Sequence, residues 1–330
     1  MTKRNVFDVV SPSREIIEKL KDNGGLKNIF FIGCGGSLGA FVPVQKFVEK
    51  EAKTITSYLI SSNEFCYSTP VSCGKNSIVI CTSHKGETPE TIKAAKIGKE
   101  KGAIIITFTY ILESSLAKVG DYVLSYEFGD KKNIANEKVM QQLKFVVELI
   151  NLTEKYEYYD AFYKGVAQIN TIVRKAKEQV VLRAKEFGEN HKDDKVMYTI
   201  GSGASWGSAY MENICILQEM QWIDSSSIHS GEFFHGPFEV IDGNSNIMLQ
   251  IAEGETRFLD ERVLEFLKKY AKRYEVLDAK ELGLSIIDSN VIDYFNHSLF
   301  NNVFAVYNSI LADLREHPLS TRRYMFKVNY

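Results

Sequence analysis

Apolar residues in the first third of the chain cluster in short, nearly continuous runs with polar turns between them. The runs are NIFFI (28–32), SYLI (57–60), SIVIC (77–81) and AIIITF (103–108). Parallel strands are covered by helices on both faces, so they read as continuous apolar runs rather than as alternating ones. The pattern therefore predicts a parallel sheet in this part of the chain.

A helix is predicted between the last two of these strands, in TPETIKAAKIGKEKGA (88–103). Thr88 is expected to cap this helix, Pro89 to occupy its first position and Gly102 to end it. Strands that alternate with helices favour right-handed crossovers, and they place ligand sites at the carboxyl ends of the strands.

The chain repeats itself at an offset of 168 residues. IGCGGSLGA, which starts at Ile32, corresponds to IGSGASWGS, which starts at Ile200, and both end an apolar run. Glu64-Phe65 then meets Glu232-Phe233, and a Gly-Glu-Thr block at 86–88 meets another at 254–256. Three separated blocks at one spacing indicate a duplicated fold.

A long helical stretch, about 134–190, joins the two copies, and no Gly/Ser/Pro-rich linker separates them. We therefore predict an α/β protein made of two fused α-β-α sandwiches with parallel sheets. The expected domains are 1–160 and 161–330.

The composition is that of a globular protein, with 45% hydrophobic and 25% charged residues and a formal net charge of −2. Such a charge offers no general attraction to nucleic acid or to an anionic membrane, so neither is expected as a partner. No stretch approaches the roughly 20 apolar residues of a membrane span, and no signal peptide is evident. A cytoplasmic location is favoured because no CxxC pair or disulfide framework occurs among Cys34, Cys66, Cys73, Cys81 and Cys215.

Two loops in the first half, GCGGSLG (33–39) and TSHKGETPET (82–91), combine small residues with hydroxyls just before a predicted helix. A helix N-terminus has unpaired N–H groups and a partial positive charge, so it can hold an anion without overall basicity. His84 is either a neighbour of the anion or a turn residue. The candidate binding residues are Gly35, Gly36, Ser37, Ser83, His84, Lys85 and Thr88.

A dinucleotide fingerprint is not expected in the first loop, because GxGxxG starting at Gly33 would need glycine where Leu38 stands. Helix capping alone is the other interpretation of the serines and threonines. The second copy favours a function in the first, since Ser83-His84-Lys85 faces Ile251-Ala252-Glu253, which lacks the hydroxyl and the ammonium group. The anion site is therefore predicted in the first half.

The sequence resembles the SIS (sugar isomerase) domain family. TSHKGET resembles the family's S-x-S-G-E-T phosphate loop, and GCGGS its first glycine-rich loop. SGEFFHGP (230–237) is similar to a segment of the isomerase domain of glucosamine-6-phosphate synthase, while SNEFCYSTP (62–70) and the closing TRRYMFKVNY favour the fructosamine-6-phosphate deglycase branch. The resemblance implies Rossmann-like, flavodoxin-type SIS domains, a phosphosugar substrate, and a homodimer or higher homo-oligomer with shared sites.

The same resemblance implies that Glu219 and His235, which lies 16 positions later, form a catalytic pair. Glu219 would move a proton between C1 and C2 of a 6-phosphofructosyl amine, and His235 would serve the oxygen or the departing amine. The implied activity is hydrolysis to glucose 6-phosphate and a free amine or amino acid. Glu232 is the rival base, although its repeat partner Glu64 favours a structural role.

Three alternatives stay open: a phosphosugar aldose–ketose isomerase, a glucosamine-6-phosphate deaminase, and a phosphosugar-sensing regulatory module without enzymatic activity. No cofactor is expected. No metal is expected either, because the six histidines form no HxxxH motif or compact ligand cluster. His191 and His297 are expected to be solvated.

Overall fold

The computed structural model describes residues 5–325 and 327–328. The chain divides into two compact units, Met1–Ala167 and Gln168–Tyr330. Each unit contains its own parallel sheet with helices around it, so the α/β fold class predicted from the sequence is confirmed.

Five parallel strands form the sheet of the first unit within the described residues. They are β1 (Asn28–Gly33), β2 (Thr56–Ser61), β3 (Ser77–Thr82), β4 (Ile104–Phe108) and β5 (Tyr122–Leu124). Their order across the sheet is β2-β1-β3-β4-β5, which is the flavodoxin-type order. The four predicted strands are confirmed, whereas β5, at three residues, was not predicted.

Both faces of this sheet are covered, as the continuous apolar runs require. Phe30 and Phe31 are neighbours in β1 and point to opposite faces, and both are fully buried. Phe30 belongs to a cluster with Val79 and Ile105, while the ring of Phe31 lies 5.1 Å from that of Phe41. The central strands are therefore fixed from both sides.

Helices connect these strands and surround the sheet. They are α1 (Val10–Lys21), α2 (Gly36–Gly39), α3 (Val42–Glu51), α4 (Ser62–Tyr67), α5 (Pro89–Glu100), α6 (Ser115–Val119) and α7 (Lys138–Glu154). Thr88 occupies the N-cap position of α5 as predicted, but its side chain makes no capping hydrogen bond. Pro89 is the first residue of the helix, and Gly102 follows its end with φ of +88°, as predicted. The predicted helical stretch 134–190 is interrupted at Lys155, which has φ of +58°.

The second unit repeats the plan with four parallel strands among the described residues. They are β6 (Val196–Gly201), β7 (Asp224–His229), β8 (Asn246–Ile251) and β9 (Arg273–Asp278), in the order β7-β6-β8-β9. Its helices are α8 (Tyr159–His191), which begins in the first unit, α9 (Trp206–Met211), α10 (Arg257–Tyr270) and α11 (Asn296–Leu314). A seven-residue π-helix, Glu212–Gln218, continues α9.

The 168-residue repeat of the sequence is also a repeat of the backbone. β6 begins 168 positions after β1 (196 minus 28), β7 begins 168 after β2 (224 minus 56), and α10 begins 168 after α5 (257 minus 89). Gly35 and Gly203, which correspond in the repeat, have the same φ of +54°. The duplicated sequence blocks therefore mark duplicated strand, turn and helix positions.

Two histidine predictions are wrong. His191 is buried and its Nδ1 lies 2.8 Å from a carboxylate oxygen of Asp194, and His297 is fully buried in α11.

Within the described ranges, no helix combines the length and the apolar character that crossing a membrane would require.

Candidate active site

The two predicted anion-binding loops follow neighbouring strands of the first sheet. β1 and β3 pair in register from Asn28 with Ser77 to Ile32 with Cys81, so both strands end at the same edge. The chain leaves β1 towards β2 on one side, and β3 leads to β4 on the other. This is the topological switch point, where open α/β sheets form their ligand crevice.

The glycine loop turns sharply from β1 into α2. Gly35 has φ of +54° and ψ of −129°, a conformation that favours glycine, and it precedes the first residue of α2. A Cβ on Gly33 would lie 3.1 Å from the backbone nitrogen of Leu38, so the turn is tight there as well. Gly36 and Ser37 are partly exposed at this turn.

The second loop is organised by the hydroxyl of Ser83, which is buried. Ser83 Oγ shares a hydrogen bond of 2.9 Å with Thr88 Oγ1 and accepts one of 3.2 Å from the amide of Gly86. The Thr88 hydroxyl therefore pairs with Ser83 instead of capping α5. Gly86 has φ of +70°, and a Cβ there would meet Ser114 Oγ at 2.0 Å, so this position requires glycine.

The two predicted anion-binding loops, 33–39 and 82–91, are here called the cradle, and two lysines add positive charge to it although the net charge of the chain is −2. Burial lowers the pKa of His84, and the nearby charges of Lys138 and Lys85 lower it further. Lys138 donates to the carbonyl oxygen of Gly36 at 3.4 Å, which places its ammonium group at the glycine loop. A carboxylate in the same loop, that of Glu87, accepts from the amide of Ser115 at 2.8 Å.

His84 is held by aromatic side chains. Its ring stacks on Tyr110 at 5.2 Å with an interplanar angle of 11°, and lies 4.4 Å from the ring of Phe128. Its Nδ1 is 3.0 Å from the hydroxyl of Tyr126. The backbone oxygen of His84 accepts from the amide of Tyr110 at 3.0 Å. The residue therefore ties the loop to the segment after β4, and it lies beside the cradle.

At the equivalent edge of the second sheet, a carboxylate of the chain itself, that of Asp260, accepts hydrogen bonds from the surrounding donors. Asp260 accepts hydrogen bonds from Ser230 Oγ at 2.5 Å and from the amide of Ala252 at 3.0 Å. Burial raises its pKa to about 6, although these hydrogen bonds oppose the change. Glu253 accepts from Ser285 Oγ at 2.9 Å. The loop around Ile251, Ala252 and Glu253 thus satisfies its donors internally.

Glu219 lies immediately after the π-helix, a form of helix that is frequent at functional sites. Burial raises the pKa of its carboxyl, and the guanidinium of Arg322 opposes this shift. Arg322 Nη2 is 2.8 Å from Glu219 Oε1. A carboxyl in this environment can exchange a proton more readily near neutral pH than an exposed glutamate.

His235 lies in the turn that its Gly-Pro neighbours predict. Its side chain is exposed, its amide donates to the oxygen of Glu232 at 2.9 Å, and Gly236 has φ of +130°. Phe233 is fully buried and fixes the turn, while Glu232 is exposed. In the described part of the chain, Glu219 pairs with Arg322 and not with His235.

Three residues at these sites were not found from the sequence: Lys138, Asp260 and Arg322. Lys138 begins α7 and Asp260 lies in the first turn of α10, positions that resemble ordinary surface charges of helices. Arg322 pairs with a residue 103 positions earlier (322 minus 219), so local spacing carries no signal for it. The departure of Asp260 from its repeat partner Ile92 was the one sequence signal present.

The fold and the first edge together define a tandem α/β protein of flavodoxin-type strand order, whose two predicted anion-binding loops lie at the switch point of the first sheet. The sequence profile of the SIS domain family matches residues 26–149. The chain is similar to fructosamine deglycase FrlB of Bacillus subtilis, with 41% identity over 96% of this chain and 98% of that protein. It is also similar to fructoselysine 6-phosphate deglycase of Escherichia coli, with 25% identity over 78% of this chain and 75% of that protein.

A solved structure of a candidate phosphosugar isomerase from Bacillus subtilis superposes with a TM-score of 0.92. It is 40% identical to this chain and covers 98% of it, and the match spans 99% of that protein. The chain therefore belongs to the SIS domain family, in the branch that contains the fructosamine deglycase relative.

Proposed function

We propose that the protein is a fructosamine-6-phosphate deglycase, which hydrolyses a 6-phosphofructosyl amine such as fructoselysine 6-phosphate to glucose 6-phosphate and the free amine. The observation that carries the proposal is the 41% identity to a fructosamine deglycase along nearly the whole of both chains. The cradle in the first unit and the half-buried carboxyl in the second agree with the two requirements of this reaction, an anion site and a proton shuttle.

The phosphate group is assigned to the cradle. The helix N-terminus after Thr88 offers amides, Ser83 and Ser37 offer hydroxyls, and Lys85 and Lys138 supply positive charge. Gly35 and Gly36 let the backbone approach the ligand closely, because they carry no side chain. Holding the phosphate would fix the sugar while leaving C1 and C2 free to react.

The chemistry is assigned to Glu219 and His235. Glu219 removes a proton from C1 while His235 protonates the C2 oxygen, which gives an enolamine. Glu219 then returns the proton to C2, and the C1–N bond becomes an imine. Water adds to C1 of the protonated imine and passes a proton to His235, which is neutral at this stage. His235 gives that proton to the nitrogen, the C1–N bond breaks to release the amine, and the proton of the C1 hydroxyl returns to His235 as C1 becomes the aldehyde of glucose 6-phosphate. Positioned acids and bases of this kind contribute roughly 10²–10⁴-fold each to rate.

We further infer that the enzyme works in the cytoplasm as a homodimer or higher homo-oligomer with shared sites, with residues 1–160 holding phosphate and 161–330 carrying the catalytic pair. The five cysteines are all free, which agrees with a reducing compartment. Mixing Glu219→Gln protein with His235→Ala protein tests the sharing. Recovered activity is expected if one site uses residues of two subunits, and inactive mixtures that still associate contradict it.

The activity itself is tested with purified protein and four substrates: fructoselysine 6-phosphate, an α-amino-linked fructosyl amino acid 6-phosphate, glucosamine 6-phosphate and fructose 6-phosphate. Release of glucose 6-phosphate, measured by coupled oxidation, is expected from the fructosyl amines. Faster turnover of glucosamine 6-phosphate would favour a deaminase, and equilibration of fructose 6-phosphate alone would favour an isomerase. No sugar phosphate from either fructosyl amine would refute the proposal.

A further inference from the structure

The segment Arg315–Arg323, here called the C-terminal strap, packs against the end of the helix that carries Glu219. Gln221 Nε2 donates to the oxygen of His317 at 2.7 Å, and Arg315 Nη2 donates to the oxygen of Gln221 at 3.3 Å. The rings of Trp222 and His317 lie 4.7 Å apart, and the guanidinium of Arg323 is 4.2 Å from the Trp222 ring centroid. The strap is therefore joined to this helix end by polar, aromatic and cation–π contacts.

The ion pair between Arg322 and Glu219 lies within this joint. The side chain of Arg322 is 16% exposed and that of Glu219 is 22% exposed, so water screens the pair only partly. Arg322 Nη1 donates to the oxygens of Leu319 at 3.0 Å and Thr321 at 2.7 Å. These bonds fix the guanidinium to its own backbone, and Nη2 is left to hold the carboxylate.

Backbone strain is present on both sides of the joint. Trp222 has φ of +56° and Glu316 has φ of +50°, and among the described residues of the second unit these are the non-glycine residues with positive φ. Such conformations cost free energy and persist where surrounding contacts impose them, often at functional sites. The strain therefore coincides with the two turns that bring the strap and the helix end together.

Unpaired polar atoms collect at the same place. Within the described ranges, four buried atoms of the joint lack a hydrogen-bond partner: Gln221 Oε1, Arg315 Nε, His317 Nε2 and Arg322 Nε. Buried polar groups are nearly always paired, and exceptions require an explanation. A joint that keeps backbone strain and unpaired polar atoms around one ion pair is poorly explained by stability alone.

We propose that Arg322 is a positioning residue for Glu219: it anchors Oε1, so that the other carboxylate oxygen, Oε2, performs the proton transfer. The inference rests on the proposed function, in which Glu219 is the base, and it gives the C-terminal strap the task of delivering the guanidinium. Arg322 acts through Glu219 and needs no contact with the sugar.

The charges around Glu219 support this assignment. The strap faces it with Arg322, while Arg315 and Arg323 bind the neighbouring Gln221 and Trp222. Strand β7 packs against the π-helix through Ser225, whose oxygen accepts from Gln218 and whose hydroxyl donates to the oxygen of Asn213, and both contacts are neutral. Burial raises the pKa of Glu219 and Arg322 opposes it, so loss of Arg322 would leave the carboxyl protonated to higher pH.

The test compares Arg322→Met, Arg322→Lys and Arg323→Met. Arg323 docks the same strap on Trp222 and does not touch Glu219, so it controls for loosening of the strap. In R322M, the acid limb of the kcat/KM profile should move to higher pH by roughly one to three units, with a fall in kcat and little change in KM. R322K should return the limb towards the wild-type position, and R323M should leave it there.

A second measurement does not depend on turnover. Titration of ¹³C-glutamate signals, with Glu219 assigned by comparison with E219Q, should show the same upward shift in R322M and no shift in R323M. If the wild-type protein is inactive, the proposed function fails while this titration still decides the Arg322–Glu219 coupling. If the wild type is active, an unshifted limb in R322M, or equal shifts in both arginine variants, overturns the inference.

Discussion

The carboxyl edges of the two sheets have the same backbone plan and opposite electrostatics. In the first half, the loop after β3 offers hydroxyls and lies among lysines, and its Glu87 is turned towards the amide of Ser115. In the second half, the amide of Ala252, 168 positions after that of His84, donates to Asp260. The second copy therefore supplies an anion of its own, whereas in the first copy we propose that an external anion is bound at this edge.

This difference shows how the two copies of a duplicated fold can differ in electrostatics while they keep the same strand and turn positions at this edge. Gly35 and Gly203 have the same φ, and β2 and β7 begin at equivalent positions, so the strand and turn geometry was retained. At equivalent positions, the first half has Ile92 and Lys85, and the second half has the carboxylates Asp260 and Glu253, which accept hydrogen bonds within their own edge. In the second half, the site that we propose for proton transfer lies elsewhere, at Glu219 after the end of the π-helix.

The largest expected effect separates the chemical role of the two halves. Glu219→Gln should lower kcat by roughly 10²–10⁴-fold, because an amide cannot take up the C1 proton, while glucose 6-phosphate still binds. Glu51 stands at the repeat-equivalent position at the end of α3, and Glu51→Gln is the matched control, with activity near that of the wild type. Steady-state kinetics measures kcat of the two variants, and calorimetry measures their binding of glucose 6-phosphate. Wild-type turnover in E219Q would refute the assignment of Glu219 as the base.

The next effect concerns the internal anion of the second half. The folded-state pKa of Asp260 is raised from 3.8 to about 6, so the folded protein holds this proton more tightly than the unfolded chain. Its contribution to stability is full below pH 3.8 and is lost as the pH rises to about 6, by about 3 kcal/mol. Asp260→Asn should remove this pH dependence and cost about 1–3 kcal/mol through the lost acceptor.

Urea unfolding between pH 4 and pH 7 measures this prediction. Ile92 occupies the equivalent position in the first half, and Ile92→Val is the control, with a cost of about 0.5–1.5 kcal/mol and no pH dependence of its own. A difference between wild type and D260N that stays constant over this pH range would contradict the buried, proton-binding carboxyl.

The smallest effect comes from exchanging residues between the halves. Lys85→Glu introduces the residue of the second half into the cradle, and the affinity for inorganic phosphate or glucose 6-phosphate should fall by about tenfold or more, as expected when a charge-assisted hydrogen bond is lost. The reciprocal Glu253→Lys should create no second site, because Asp260 already occupies the donors there. Calorimetry gives the affinity and the number of bound anions per chain. Two binding sites per chain in E253K would contradict the view that Asp260 already occupies the donors of the second half.

The fold was predictable where burial dominates the sequence pattern. Strands covered on both faces must be apolar throughout, which is why NIFFI and SIVIC were recognised. β7 reads DSSSIH and lies at the edge of its sheet, so its local pattern is weak, and only the repeat places it 168 positions after β2. β5 has three residues, too few for any periodicity.

The site was predictable only in part, because its remaining groups are brought together by tertiary structure. His191 was expected in solvent, but Asp194 and Arg273 compensate its burial, and Arg273 lies in a distant strand. Arg322 reaches Glu219 across 103 positions, and the π-helix before Glu219 has the apolar spacing of an ordinary helix in ENICILQ. Such contacts depend on packing that no local window contains.

The helix α8 sets a practical limit on dividing this protein into fragments. The hydroxyl of Tyr159 donates to Glu148, and Arg183 pairs with Glu275, so its two ends are built into different units. A chain cut at the unit boundary, after Ala167, would leave unfinished helix ends with unsatisfied amides and carbonyls. A split version is better cut at 155–158, between α7 and α8. The C-terminal fragment then carries the whole of α8, and the first residues of this helix can bind the N-terminal fragment when the two are expressed separately and mixed.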